Sequence, residues 1–264
     1  YTLVRYLGRE QYGSNPLIYG QTYDAAYELE DSWYWAPMGD RYIKARGQVH
    51  PVYDSKTKML FPRMWSSDER HRDFYDWYVY DGASRPRSVN VDGKSYEVPT
   101  MGQNLKYFFG YQLNWMYWRY FMWNFVGRQN DIHSPVPGDP FKGNWESGVG
   151  FIDRLMLGDQ RDAPEALLNN PGKNHYFFLP LLLGLIGLLF QSFRDKRGAW
   201  VTFLLFFMTG IAIVIYLNQP PYQVRERDYA YAGSFYAFSI WIGLGVAALA
   251  GWVNEKIGSG TARV

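Results

Sequence analysis

The residues best suited to chemistry lie in one segment, Gln219–Gly233, whose centre reads RERDY. A planar guanidinium can hold two oxygens of one phosphate, so two arginines in a short stretch predict a phosphate site. The neighbouring carboxylates would either neutralise the arginines or orient them. The predicted site for a lipid phosphate consists of Arg225, Glu226, Arg227, Asp228 and Tyr229. The alternative is a solvated loop closed by its own salt bridges.

A second charged cluster follows the apolar stretch Tyr1–Leu7 and is a secondary candidate site, with helix capping as its alternative. Its residues are Arg9, Glu10, Gln11 and Tyr12. The four histidines are widely separated and none has a partner at the spacing of metal ligands on a helix, so no metal site is predicted. His71, near Asp68, Glu69 and Asp73, is the one position that merits a metal test.

The charge distribution divides the chain into two parts. The net charge is +2 and the mean hydropathy is slightly negative, but charged residues concentrate before Asn174 and long uncharged runs follow it. Aromatic residues make up 19% of the chain, and Trp and Tyr favour boundaries between water and an apolar phase. The absence of a basic block argues against nucleic acid as a partner. The absence of cysteine excludes disulfides and thiolate metal sites.

Three uncharged runs in the last third predict three transmembrane helices. Ala199–Leu217 and Gly233–Val253 approach the ~20 apolar residues that a helix needs to cross hydrocarbon. Tyr176–Phe193 is shorter and carries Pro180 in its first turn, and a buried soluble helix is its alternative. In the last run, small residues recur every fourth position, which favours close helix packing. These small residues are Gly243, Ala247 and Gly251.

The positions of the basic residues predict an orientation. Arg194, Lys196 and Arg197 lie between the first two runs, and loops rich in Lys and Arg stay cytoplasmic. Residues 1–174 and the loop Asn218–Ala232 are therefore expected on the opposite, periplasmic or lumenal, side. A bacterial inner membrane, with residues 1–174 in the periplasm, is the expected location. Arg225 and Arg227 lie in that outer loop although basic residues favour the cytoplasmic side, which suggests that they have a function.

The aromatic segment Lys106–Val126 is predicted to be a helix at the membrane interface. Its polar residues do not form one stripe when projected at 100° per residue, so an ordinary core helix remains the alternative. Further upstream, Tyr42–Arg46 and Val49–Tyr53 are predicted strands. Ser88–Val91 and Lys94–Val98 flank an Asp-Gly pair and predict a tight hairpin.

These expectations combine into a fold class and a domain order. The predicted fold is a mainly α membrane protein with three transmembrane helices, an aromatic interfacial helix and a small extracytoplasmic α+β region. Residues 1–104 form the α+β region, and residues 105–174 the interfacial helix and an outer loop. Residues 175–254 hold the transmembrane helices, and residues 255–264 a cytoplasmic tail.

Five motifs carry a resemblance that runs through most of the chain. They are LGREQYG from residue 7, PLIYGQ from residue 16, NWMYWRYFMWNFVGRQND from residue 114, LPLLLGLIGL from residue 179 and RERDYAYAGSFYAFSIWIGLG from residue 225. Together they resemble a family of large polytopic bacterial membrane proteins long listed as a domain of unknown function. Its animal relatives are lumenal protein O-mannosyltransferases, and the family is grouped with the GT-C glycosyltransferases.

The resemblance implies transfer of a mannose-like sugar from a polyprenyl-phosphate donor to a protein hydroxyl on the outer membrane face. It implies membrane lipid, a lipid-linked sugar and an acceptor protein as partners, and no cofactor. Such enzymes carry their catalytic carboxylate in the first outer loop, which this chain is expected to lack, so the fragment alone is expected to be inactive. The base stays unassigned among Glu10, Asp24, Glu226 and Asp228. The alternatives are a lipid-linked sugar transporter or flippase and a non-catalytic membrane scaffold.

Overall fold

The computed structural model describes residues 15–80, 84–161 and 163–261. The chain divides into two compact units, the first ending at Phe108 and the second beginning at Phe109.

Within its described residues, the first unit combines three antiparallel strand pairs with short helices. Its strands are β1 Tyr19–Gln21, β2 Tyr27–Met38, β3 Arg41–Tyr53, β4 Lys58–Leu60, β5 Arg87–Val91 and β6 Lys94–Val98. β1 pairs with β4, β2 with β3, and β5 with β6. Its helices are α1 Glu69–Tyr75, which continues as a π-helical turn Asp76–Tyr80, and α2 Met101–Tyr107.

The predicted hairpin around Asp92-Gly93 is confirmed. Asp92 has φ 50° and Gly93 has φ 81°, and two residues of positive φ are what a type I′ turn requires. The side chain of Asn90 also accepts a hydrogen bond from the Gly93 amide at 3.0 Å. Short-range turn chemistry therefore fixes the register of β5 and β6.

The other strand prediction was incomplete. Tyr42–Arg46 and Val49–Tyr53 lie in one continuous strand, β3, whose partner β2 was not predicted. β2 reads YELEDSWYWAPM, and its three carboxylates and its proline are residues that strands disfavour. The pairing between the two strands overrides this poor local preference.

The core of the first unit is aromatic and is fastened by one buried amide. Phe74, Tyr75 and Tyr107 are almost completely buried, and the rings of Phe74 and Tyr75 both contact that of Tyr107. The Asn104 side chain accepts the Arg63 amide at 2.7 Å and donates to a backbone carbonyl at 2.7 Å. Because buried polar groups are costly when unpaired, this amide fixes α2 against the loop between β4 and α1.

The second unit is mainly helical. Its elements are α3 Arg119–Phe125, β7 Gly127–Arg128, α4 Gly150–Leu157, α5 Glu165–Leu168, β8 Asn174–His175, α6 Leu179–Arg194, α7 Lys196–Thr209, α8 Ile211–Leu217 and α9 Ala232–Thr261. β7 and β8 pair in an antiparallel manner.

The predicted aromatic helix is present, but much of it is not α-helical. Phe108–Trp118 is π-helical and leads into α3. A π-helix has i→i+5 hydrogen bonds and more residues per turn than an α-helix. A projection at 100° per residue therefore misplaces its side chains. No single polar stripe emerged from the sequence because Gln112 and Arg119 are buried and hydrogen-bonded, whereas Asn114 and Asn124 are exposed.

Two helical stretches, Lys196–Leu217 and Asp228–Lys256, are long and apolar enough to cross a membrane. The first is interrupted at Gly210, where α7 ends and α8 begins. The third predicted span is α6, which has 16 residues, fewer than the ~20 that hydrocarbon requires. The described residues thus hold two helices of spanning length, where the sequence predicted three.

The predicted contact role of Gly243, Ala247 and Gly251 was wrong. All three are exposed, and a Cβ at Gly243 or Gly251 would meet nothing within 4 Å. The close approach instead uses Gly187 of α6 and Gly245 of α9. A Cβ on Gly187 would lie 1.7 Å from the Trp241 carbonyl oxygen, so only glycine allows the helices to approach so closely.

Candidate functional site

The loop between α8 and α9 is held at its start by Gln112, on the π-helical segment. The side-chain amide of Gln112 donates to the Asn218 side chain at 3.0 Å and to the Gln219 backbone carbonyl at 2.9 Å. Asn218 ends α8 with φ 40°, a left-handed conformation that asparagine tolerates and that turns the chain out of the helix. The loop begins from a fixed, buried point.

Seven residues further along the same helix, Arg119 is buried among aromatic rings. Its side chain is 3% exposed, and the guanidinium lies 4.1, 4.6 and 4.7 Å from the ring centres of Trp115, Tyr120 and Trp123. It also donates to the carbonyl oxygens of Trp115 at 3.1 Å and Gly143 at 2.8 Å. A buried guanidinium still needs a counter-ion, because burying a lone charge is very costly.

Glu226, in the centre of the loop, is that counter-ion. One carboxylate oxygen accepts from Arg119 Nη2 at 2.7 Å and from the Tyr120 hydroxyl. The other accepts from Arg119 Nη1 at 3.4 Å, from the Ser134 amide at 3.1 Å and lies 3.1 Å from His133 Nδ1. With these partners, the carboxylate holds the loop against α3 and the segment that follows β7.

The protonation of this cluster follows from its contacts. Burial raises the pKa of Glu226, but the hydrogen bonds from Arg119 and Tyr120 outweigh it and hold the pKa below its usual range. Burial also raises the pKa of the Tyr120 hydroxyl, which therefore stays protonated and donates. Glu226 is an ionised structural anchor and a poor proton acceptor.

The anchor leaves the loop arginines without carboxylate partners. In the described part of the chain, no carboxylate forms an ion pair with Arg225 or Arg227. Arg225 is exposed, with its guanidinium 5.8 Å from the ring centre of the exposed Tyr229. Arg227 is half-buried, its Nε lacks a hydrogen-bond acceptor, and its amide donates to Tyr120 Oη at 3.3 Å. Asp228 is half-buried and begins a 3₁₀ turn.

Chemically, this arrangement suits an anion. Glu226 is adjacent to both arginines in sequence, yet its carboxylate forms an ion pair with Arg119. The two loop guanidinia therefore keep a positive field that phosphate or carboxylate oxygens can satisfy. The alternative of a loop closed by its own salt bridges does not describe the contacts of Glu226. Phosphate binding itself remains a prediction for all five residues, Arg225 to Tyr229.

The other candidate residues are dispersed or lie outside the described residues. Arg9, Glu10, Gln11 and Tyr12 belong to the undescribed N-terminal stretch. Asp24, in the first unit, accepts from Arg72 and from the Glu97 amide. His71 Nδ1 lies 2.7 Å from the Ser66 hydroxyl, and within the described ranges no three His, Asp or Glu side chains converge to hold a metal ion.

Sequence reasoning missed Arg119, Tyr120 and His133 as parts of the site. The pair between Arg119 and Glu226 joins residues 107 apart in the chain, a separation that no local pattern reveals. One signal was present, because a lone arginine within the aromatic run WMYWRYFMW must find a counter-ion if the run is buried. His133 carried no signal in the sequence.

Comparison with known proteins adds one finding. A family model described as a family of unknown function (DUF8416) matches residues 13–109, a range that ends one residue past the first unit. No curated protein and no solved structure matches the chain. The second unit, which contains the loop, lies almost entirely outside the matched range.

Proposed function

We propose that the chain is part of an integral membrane protein whose loop between α8 and α9 binds the phosphate of a polyprenyl-phosphate sugar. The observation that carries the proposal is the separation of charges at the loop. Arg119 takes the Glu226 carboxylate, so Arg225 and Arg227 keep their charge for a ligand. Their position between two helices of spanning length suits a phosphate at headgroup level.

The membrane placement is supported by the outward faces of these helices. In the apolar stretches of Lys196–Leu217 and Asp228–Lys256, only 17% and 22% of the residues are buried. Core helices of soluble proteins are mostly buried, and large exposed apolar surfaces mark contact with lipid or protein. We place α6 in the same bilayer as a third, shorter span, with residues 1–174 on the periplasmic side of a bacterial inner membrane.

The resemblance of five motifs to a GT-C family supports sugar transfer as the reaction of the longer protein. An acceptor hydroxyl oxygen would bond to the anomeric carbon of a mannose-like sugar as the bond from that carbon to the phosphate oxygen breaks. The polyprenyl phosphate leaves with the electron pair, and the hydroxyl proton passes to a carboxylate. The arginines stabilise the leaving phosphate, and Glu226, already saturated by donors, positions them.

Binding of a fluorescent polyprenyl phosphate to the full chain in lipid nanodiscs tests the proposal. Replacing Arg225 or Arg227 by alanine removes a charge-assisted contact worth roughly 1.5–3 kcal/mol, so affinity should fall about ten- to a hundredfold. Lysine keeps the charge but loses the two-oxygen grip, so Arg→Lys should cost less. Arg154→Ala, at an exposed arginine of α4, is the matched control. Unchanged affinity in folded R225A and R227A variants would show that the loop is structural.

A second assay separates transfer from transport. In the longer protein, transfer of the sugar to a peptide hydroxyl would identify an enzyme. Movement of the lipid-linked sugar across the bilayer without transfer would identify a transporter that uses the same arginines.

A further inference from the structure

The end of the β2–β3 hairpin in the first unit is unusually apolar for an exposed element. We define the hairpin tip as residues 33–46, which include the turn at Gly39 and Asp40. Six large apolar or aromatic side chains of the tip are each more than a third exposed. They are Trp33, Tyr34, Trp35, Met38, Tyr42 and Ile43. Exposed apolar side chains concentrated in one short element mark a contact surface.

The apolar side chains lie on both faces of the tip. Residues opposite each other in an antiparallel pair share a face, and neighbours along a strand alternate. The register pairs Trp35 with Lys44, and Ala36 with Ile43. One face therefore carries Trp33, Trp35 and Tyr42, and the other carries Tyr34, Met38 and Ile43.

The presence of apolar side chains on both faces indicates what kind of surface the hairpin tip contacts. A sheet that docks onto a protein is apolar on the docking face and polar on the other. A tip that is apolar on both faces suits a medium that surrounds it, which a lipid bilayer does. The strand edges still carry unpaired amide and carbonyl groups that hydrocarbon cannot satisfy, so the tip would stop at the hydrated interface, where Trp and Tyr are favoured.

The charges of the hairpin agree with an anionic lipid surface. The tip holds Arg41, Lys44 and Arg46 against one carboxylate, Asp40. Arg46 is paired with Asp31, two residues outside the tip, at 2.6 Å, so Arg41 and Lys44 are the cations that remain for a lipid headgroup. Lys44 Nζ lies 5.2 Å from the ring centre of Trp33, so the aromatic and cationic groups form one surface. The three carboxylates of β2 all precede the tip; they are Glu28, Glu30 and Asp31. Basic residues near the surface of an anionic leaflet are attracted to it.

From this geometry we propose that the hairpin tip inserts into the interfacial region of an anionic lipid bilayer. The inference rests on the membrane placement in the proposed function, but not on phosphate binding or sugar transfer. The hairpin tip would act as a peripheral anchor of the first unit, separate from the helices of spanning length.

Single cysteines carrying an environment-sensitive fluorophore can test the insertion, because the chain has no cysteine of its own. The full chain is reconstituted into phosphatidylcholine vesicles with and without phosphatidylglycerol. The tip probe is Met38→Cys, the control at the hairpin base is Glu30→Cys, and Val246→Cys on the outer face of α9 reports on the spanning helix. Quenchers attached near the lipid headgroup, attached deep in the acyl chain or dissolved in water report the depth of each probe, and the acyl-chain quencher is the one expected to reach Val246→Cys.

Insertion predicts a blue-shifted tip probe that the headgroup-level quencher reaches and aqueous iodide does not. The base probe should show the opposite behaviour. Substituting Trp33 and Trp35 by serine should abolish the lipid quenching, and Lys44→Glu should weaken it only in vesicles that contain phosphatidylglycerol.

Three results would overturn the inference, and they are distinguishable. If Val246→Cys is lipid-quenched and the tip is quenched only by iodide, the hairpin inference fails while the membrane placement stands. If neither position is lipid-quenched, the membrane placement fails as well. If the tip is shielded in lipid-free amphipol and the shielding grows with protein concentration, its occupant is another protein surface.

Discussion

Arg119 is the residue on which the loop between α8 and α9 depends. Replacing it with methionine keeps the packing of its stem but leaves the Glu226 carboxylate buried without its counter-ion. Breaking a buried pair in this way costs about 3–5 kcal/mol, measured as the free energy of unfolding in denaturant. The exposed Arg154→Met control should change stability by less than about 0.5 kcal/mol.

A double-mutant cycle separates the pair from general packing. The Arg119→Met/Glu226→Gln variant should be more stable than the sum of the two single changes predicts, because no charge is then left unpaired. Strict additivity would contradict the coupling between these two side chains.

The same cluster predicts a pH dependence. The pKa of Glu226 is lower in the folded protein than its usual value, so the carboxylate stabilises the fold above the pKa of the unfolded chain, about 4.3. That contribution is lost as the pH falls through the folded pKa. Glu226→Gln should therefore be less stable at neutral pH and should lose less stability on acidification. The exposed Glu165→Gln variant serves as the control, and an acid unfolding curve of Glu226→Gln parallel to wild type would contradict this assignment.

At this scale the sequence indicated the loop but not its anchor. The RERDY run drew attention to this segment through its residue types alone. The partners of Glu226 come from α3 and from the segment after β7, so they become visible only after folding. The sequence does not show whether Glu226 or Asp228 pairs with an arginine, because that pairing depends on tertiary contacts.

Among the elements, local rules succeeded where local chemistry decides the outcome. The Asp92-Gly93 turn fixed its hairpin because both residues tolerate positive φ. β2 escaped prediction because only pairing with β3 makes its acidic sequence a strand. The π-helical geometry of Phe108–Trp118 was not predicted either, since periodicity arguments assume 3.6 residues per turn.

The contact between α6 and α9 gives a prediction at the scale of elements. Gly187→Ala places a methyl group onto the backbone of Trp241 and should cost about 1–3 kcal/mol of unfolding free energy, or more. Gly243→Ala, in open space on α9, should be neutral or stabilising by up to about 1 kcal/mol. Thermal unfolding in detergent compares the two, and equal effects would argue against the close packing of these helices.

For the whole molecule, the uncharged runs predicted helices of spanning length, and two of the three reach it. The two units meet after Phe108, whereas the sequence analysis began the second region at residue 105, with the aromatic helix. Unit boundaries depend on which contacts form, and a sequence of continuous helical character does not mark them.

The proposed orientation is tested with cysteines at two exposed positions. Val224 in the loop is 91% exposed, and Arg197 lies at the opposite end of the helices, in the first turn of α7. In intact cells, a membrane-impermeant maleimide should label Val224→Cys, and it should label Arg197→Cys only after lysis. Labelling of Arg197→Cys alone before lysis would reverse the orientation.

The most direct test of the central claim locates the bound lipid phosphate on the chain. A polyprenyl phosphate with a photoreactive group beside its phosphate is crosslinked to the full chain in nanodiscs, and the adducts are mapped by mass spectrometry. We predict adducts within Gln219–Tyr231 that unlabelled polyprenyl phosphate competes away and that vanish in the R225A/R227A variant. Adducts confined to other segments, or adducts in the loop that the competitor leaves unchanged, would contradict a phosphate site at Arg225 and Arg227.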